Sequence, residues 1–228
     1  MTPLQNDLSA EDSVEMRRAV IATARAMNAA GINVNTSGNV SARCIRGARS
    51  GFLITPSGVP YGELAAQDVV FVDAAEAAIG GRQPSSEWRF HFVIYAARAD
   101  VGAIVHTHSP LATALACQHL DIPSFHYMVA VAGGSDIRCA PYATFGTQEL
   151  ADHALVALEN RRACLLAHHG VIACGADLER AFALALEVEN LAQIYIAVRT
   201  LGAPKLISND EMRRVVDRFA TYGQATGA

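Results

Sequence analysis

The sequence predicts a layered α/β domain on three observations. Apolar residues recur at helical spacing in several long stretches, short runs rich in Val, Ile and Phe lie between them, and Gly, Pro and Ser mark the junctions. No internal repeat, low-complexity segment or linker divides the chain, so strands and the helices that cover them are expected to share one domain over residues 1–228. At 228 residues and 51% hydrophobic content the chain can bury a substantial core.

Taken in order, residues 9–30 place Val14, Ala19, Val20, Ile21, Ala24 and Met27 at helical spacing, and Gly31 ends the pattern as a helix C-terminus would. VSAR from Val40, FLITP from Phe52 and VVFVD from Val69 read as strands separated by turn chemistry such as PSGVPYG. SSEWRFHFVIYAAR, residues 85–98, reads as a helix capped by its serines with Glu87 in the first turn. GAIVHTH then predicts a strand, LATALACQHL a helix, HYMVAVAG a short strand, ELADHALVALEN a helix and ACLLAHHGVIAC a strand. A long apolar-striped helix is expected from about Asp177 to Thr200. The last helix opens on Ser208 and Glu211, a capping box, and runs to about Tyr222. The ends, residues 1–10 and 223–228, are small and polar enough to be flexible.

Charge and composition narrow the partners. Net charge is −4 with no basic cluster longer than a pair, which leaves no electrostatic footprint for nucleic acid. The N-terminus lacks an apolar signal region, and no run reaches the ~18 consecutive apolar residues of a membrane span. Five cysteines, odd in number and never spaced C-x-x-C, read as reduced thiols, so a cytoplasmic location is expected.

The segment AIVHTHSP, residues 103–110, carries the strongest chemical signal. On a strand, His106 and His108 face the same way about 7 Å apart, while Thr107 faces the other way. Two imidazoles do not make a zinc site, which takes three or four ligands and leaves a position open when it is catalytic. A buried histidine is also commonly just a satisfied core residue. Further ligands are available at two places: one of the adjacent histidines of LLAHHGVI, and Glu87 at the start of a helix whose N-terminal N–H groups also favour a bound anion.

NTSGNVSAR, LITPSGVPY, PSSEWRFH, VHTHSP, IPSFHYM, APYATFGT and LLAHHGVIAC together, in this order and at these spacings, resemble the class II aldolase/adducin family from about Arg17 to Tyr222. The resemblance implies a three-layer α/β fold with a central, largely antiparallel sheet between helices, and a cyclic homotetramer with active sites shared between subunits. It assigns a Zn²⁺ ion, or another divalent cation, to Glu87, His106, His108 and His169, with His168 only packing or supporting. It assigns the substrate phosphate to Asn39, Ser57, Gly58, Ser85 and Ser86, an apolar wall to Phe145, a catalytic hydroxyl from the adjacent subunit to Tyr127, and a covering role to Tyr222. The implied activity is reversible cleavage of a 1-phosphoketose, of the L-fuculose 1-phosphate kind, to dihydroxyacetone phosphate and a small aldehyde such as lactaldehyde. Glu87 would then exchange the C3 proton, and Tyr127 would serve the C4 hydroxyl.

Other chemistries on the same scaffold are phosphopentulose epimerases, decarboxylases and dehydratases, with a non-catalytic adducin-head-like module as a further alternative. Such a module would be expected to lose ligands, and all four are present. A Schiff-base aldolase needs a desolvated lysine, and the single lysine, Lys205, sits in the polar GAPKLIS connection. The metallo-β-lactamase pattern fails as well, because Pro110 and Leu111 stand where its Asp and His would be.

Overall fold

Eight strands form one sheet in the order β4-β3-β2-β1-β5-β8-β7-β6, antiparallel at every pairing except β6 with β7. The computed structural model describes residues 10–221. The strands are β1 (Asn39–Arg46), β2 (Arg49–Ile54), β3 (Val70–Asp73), β4 (Ala78–Ile79), β5 (Ala103–Thr107), β6 (Arg138–Ala140), β7 (Ala163–Leu166) and β8 (Gly170–Gly175). The helices are α1 (Val14–Ala29), α2 (Trp88–Ala97), α3 (Pro110–Cys117), α4 (Gln148–Ala157), α5 (Leu178–Leu201) and α6 (Asn209–Thr221).

Strand alternation divides the core into two layers, as period-2 side chains must. Val40, Ala42, Cys44, Ala103 and Val105 pack with Val20, Ala24 and Met27 of α1, Leu115 of α3, and Val188 and Leu191 of α5. From the opposite face, Phe52, Val70, Ile104 and Ile172 pack with Phe90 and Ile94 of α2 and with Leu150 and Ala154 of α4. This is the expected three-layer architecture. Helix α5 is long and apolar enough to cross a membrane by length and composition alone. Here it is a core helix, with Ala181, Leu184, Val188, Leu191, Ala192 and Tyr195 buried against the sheet layer.

Local chemistry fixes most helix starts. Ser13 accepts the Met16 N–H, Thr147 the Leu150 N–H, Asp177 the Arg180 N–H and Ser208 the Glu211 N–H. The first helix therefore begins at Val14 rather than residue 9. Ala10 is held by a hydrogen bond from the Ile45 N–H to its carbonyl. Residues 1–9, 223–228 and Tyr222 lie outside the described residues.

Three expectations are corrected. HYMVAVAG is not a strand but a 3₁₀ helix, Tyr127–Ala132, because His126 turns back to accept the Met128 N–H and the segment lacks period-2 polarity. ACLLAHHGVIAC is not one strand but the β7–β8 hairpin, with Leu166 paired to Gly170 and His168 at a left-handed φ of 55° in the turn. Glycine at 170 is obligatory, since a Cβ there would lie 2.3 Å from the Thr107 carbonyl oxygen of β5. Finally, Glu87 precedes α2 as its N-cap instead of occupying the first turn; its N–H donates to Ser85 Oγ at 3.3 Å. Strands β4 and β6, two and three residues long, had no legible sequence signal.

The loop that follows His108 is tied down from α5. Glu189 accepts the Leu111 and Ala112 N–H groups, one on each carboxylate oxygen at 2.8 Å, taking the orphan donors of the α3 N-terminus. Glu189→Ala leaves both donors unpaired, and urea unfolding should show a loss of about 1–3 kcal/mol, with Glu189→Gln recovering part of it.

Candidate metal centre

The register of the central strands builds the site. His106 of β5 stands opposite Asn39 of β1 on one side and Ile172 of β8 on the other. His108, just beyond β5, keeps the same facing, and the two Nε2 atoms are 3.0 Å apart. The β7–β8 turn swings His169 toward the same point, and the N-cap of α2 brings Glu87 down onto it. His106 Nε2 lies 3.1 Å from Glu87 Oε2, and His169 Nε2 lies 2.9 Å from Glu87 Oε1. All four donor atoms fall within 4.8 Å of one another. The three imidazole centroids are 4.9 Å apart pairwise with interplanar angles of 74–86°, so the rings stand nearly perpendicular to one another.

Electrostatics favour a cation at that point. His106 Nδ1 is 2.8 Å from the Val171 carbonyl oxygen, which can only accept, so Nδ1 carries a proton and Nε2 is the ring nitrogen left to meet a cation. Burial, together with His106 and His169, pushes the His108 imidazole down to about 3, so its ring is neutral near pH 7. Burial works to raise the Glu87 carboxyl, but His106 and His169 outweigh it and hold the group well below the usual carboxylate range. Glu87 is 5% exposed, and its Oε1 lies 2.9 Å from His169 Nε2 without a well-formed hydrogen bond. Inward lone pairs and a buried, unbonded carboxylate oxygen around one point fit the donor set of a divalent ion, with N and O ligands suited to zinc. Among the described residues this is the one such cluster of three or more.

The remaining sequence-predicted residues divide into those near this cluster and those elsewhere. Asn39 donates its amide N–H to Glu87 Oε2 at 3.0 Å. A bridge between Pro56 and Pro84, flanked by hydrogen bonds from Ser57 N–H to Gln83 and from Ser85 N–H to Thr55, sets Ser57 and Gly58 beside Ser85 and Ser86. Ser57, Gly58 and Ser86 are exposed, Ser85 is buried, and Gly58 holds a φ of 69° that other residues rarely adopt. Gly146 approaches the Ser86 carbonyl so closely that a Cβ would lie 2.8 Å from it, which brings the adjacent Phe145 to that region, 63% exposed. Tyr127 is 51% exposed and stacks on Phe219 of α6 beside His126. His168 points away from the cluster, with its Nε2 2.8 Å from His119 Nε2.

Sequence reasoning missed a polar file behind Glu87. Asn39 and Ser41 alternate on one face of β1, and Glu87, His91 and Tyr95 repeat every fourth residue along α2. Helical and strand repeats of about 6.0 and 6.7 Å let the two ladders match rung to rung. His91 Nε2 is 2.5 Å from Asn39 Oδ1, Ser41 Oγ is 2.7 Å from His91 Nδ1, and Tyr95 OH is 2.8 Å from Ser41 Oγ. Polar residues at i, i+4, i+8 on the buried stripe of a helix were the available signal.

Comparison with known proteins agrees with this geometry. The profile of the class II aldolase and adducin N-terminal domain matches residues 18–196. A 5-methylthioribulose-1-phosphate/5-deoxyribulose-1-phosphate aldolase of Rhodospirillum rubrum is 52% identical over 92% of this chain and 93% of its own. An L-fuculose phosphate aldolase of Escherichia coli strain K12 is 46% identical over 92% of this chain and 96% of its own. A solved L-fuculose 1-phosphate aldolase superposes with a TM-score of 0.87 at 38% identity, covering 94% of this chain and 99% of that one.

Replacing His106, His108 or His169 by Ala should strip most bound divalent metal, whereas His168→Ala should keep it. Elemental analysis of the purified variants decides this, and full occupancy in the His106 variant would contradict the ligand set.

Proposed function

The chain belongs to the class II aldolase and adducin family, and we propose that it is a zinc-dependent aldolase cleaving a 1-phosphoketose between C3 and C4 to dihydroxyacetone phosphate and a small aldehyde. The observation that supports this most is the convergence of three imidazoles on a buried carboxylate with one unbonded oxygen. A divalent ion held there supplies a Lewis acid for the C2 carbonyl, worth several kcal/mol where charge develops during cleavage.

The chain's own groups do the rest. Glu87, ionised and tethered through Oε2 to Asn39, has Oε1 placed to remove and return the C3 proton. Ser57, Gly58, Ser85 and Ser86 seat the phosphate at the α2 N-terminus, where backbone N–H groups and the helix dipole favour an anion without a lysine. Tyr127 of a neighbouring copy hydrogen-bonds the C4 hydroxyl, the group that loses its proton during cleavage. Phe145 walls the aldehyde, and a covering role is proposed for Tyr222 from the family resemblance alone. A homotetramer with shared sites is proposed with the role of Tyr127, which is half exposed in one chain and so accessible for it. We place the enzyme in the cytoplasm.

The named relatives act on methylthio- and deoxyribulose 1-phosphates and on L-fuculose phosphate. These are ketose phosphates whose aldehyde half ends in a methyl or methylthio group, and a substrate of that class is proposed here. Incubating metal-loaded enzyme with L-fuculose 1-phosphate, 5-deoxyribulose 1-phosphate and 5-methylthioribulose 1-phosphate should release dihydroxyacetone phosphate from at least one of them; release from none sinks the reading.

Glu87→Gln keeps the shape of the side chain but cannot accept the C3 proton. Deuterium exchange into dihydroxyacetone phosphate, followed by NMR at matched zinc occupancy, should slow by ~10²–10⁴. Normal exchange would move proton transfer to another group. For assembly, light scattering should report a tetramer of the 24.2 kDa chain, and an active monomer would exclude a shared site.

A further inference from the structure

We propose that His91 is a positioning residue for Glu87, acting through the side-chain amide of Asn39. The inference rests on the acid/base role of Glu87 proposed above and extends it to the buried side chains behind Asn39.

One anion dictates the direction of every hydrogen bond in that file. An ionised carboxylate only accepts, so Asn39 must turn its NH₂ toward Glu87 Oε2, 3.0 Å away. Its Oδ1 then faces His91 Nε2, which must carry the ring proton. In a neutral ring this leaves Nδ1 as an acceptor, so the Ser41 hydroxyl donates to it, and Ser41 Oγ in turn accepts from the Tyr95 hydroxyl. The polarity runs from Tyr95 through Ser41, His91 and Asn39 to Glu87 without a reversal. Reversing it at Asn39 would set an amide oxygen against the carboxylate.

The surroundings fix the file in place. His91 is fully buried, stacked on Phe90 at 4.6 Å and near Phe52 at 6.4 Å, and its burial beside His106 pushes the imidazole down to about 3, which keeps it neutral. Tyr95 lies under the Arg43 guanidinium, 4.8 Å from its ring centroid, and Arg43 also binds the carbonyls of Tyr95, Arg98 and Val101. Packed and held this way, His91 offers Asn39 a fixed partner, and the Asn39 amide orients to it. The amide is locked with its donor on Oε2, which leaves Oε1 as the free oxygen facing the metal centre. The same lock gives Asn39 a partner in Glu87 besides any phosphate.

The test uses the metal-loaded full-length enzyme. Solid-state ¹⁵N spectra of ring-labelled histidine, with the His91 signals identified by their loss in His91→Gln, should show a neutral Nε2–H tautomer near neutral pH. An Nδ1–H tautomer or a charged ring would overturn the proposal. In kinetics, His91→Phe fills the same space but cannot donate to Asn39; kcat for C3 deuterium exchange should fall about 10–100-fold with KM and zinc occupancy little changed. His91→Gln places an NH₂ near the Nε2 position and should keep kcat close to wild type.

Equal loss in the Phe and Gln variants, a rise in KM in place of the fall in kcat, or wild-type kcat in the Phe variant each overturns it. Should the Phe variant fail to fold, Ser41→Ala removes the donor to Nδ1 with little change of shape. Mixed tautomers and a lower kcat are then expected, and an unchanged spectrum with unchanged kcat overturns the proposal. A wild-type enzyme that exchanges no C3 proton fails the aldolase reading, while its ¹⁵N spectrum still reports the tautomer on its own.

Discussion

An ionised carboxylate shut away from water must be met by positive charge and hydrogen-bond donors, or it costs several kcal/mol. Glu87 is such a group, and much of the local architecture serves to meet it. The antiparallel register of β1 with β5 sets Asn39 beside His106, so donor and imidazole reach the carboxylate from adjacent strands. The pairing of β5 with β8 supplies the Val171 carbonyl that fixes the His106 tautomer. Gly170 lets the β7–β8 turn press against the end of β5, and that contact carries His169 into range. Ser85 holds the backbone of Glu87 at the entrance to α2. A shift of one residue in either strand pairing would turn Asn39 or His106 to the opposite face and leave the carboxylate buried without its partners.

Much of this was legible in the sequence because it follows period and residue type. His106 and His108 at i and i+2 in an apolar run required a shared face, and the structure places their nitrogens in contact. The helices from Asp177 and from Ser208 fall where their signals put them, whereas the first begins at Val14 rather than residue 9. Illegible parts were those decided by tertiary contact. Nothing local in ACLLAHHGVIAC distinguishes one long strand from a hairpin, because the turn depends on Gly170 fitting under Thr107 of a distant segment. Likewise, HYMVAVAG is rich in β-formers, and a single cap from His126 winds it into a 3₁₀ helix against α6 instead. Short edge strands such as β4 have too few residues to show any period.

The polar file behind Glu87 shows a different limit. Ser41, His91 and Tyr95 were each visible, yet a lone histidine or tyrosine in an apolar helix is usually a satisfied core residue. Only their mutual placement gives them direction. Two ladders with nearly equal repeats, one on a strand and one on a helix, must be laid side by side before a hydrogen-bond polarity can be traced.

The same contrast explains why the reaction class is far easier to read than the substrate. The cluster of Glu87, His106, His108 and His169 demands particular atoms at particular places, and few residue types supply them. Discrimination among aldehydes rests instead on apolar shape, where one methylene changes binding by only about 1–3 kcal/mol and many side chains serve equally well. The residues available for that task, Phe145 and Tyr127, stand half or more exposed on one chain. A wall that exposed acquires its final form only when something packs against it, and a 1-phosphoketose pocket closed by a second copy would take its selectivity from both surfaces. Conserving the interior cluster while varying the exposed aromatics is then the cheapest route from one ketose phosphate to another, because it leaves every buried hydrogen bond around Glu87 unbroken.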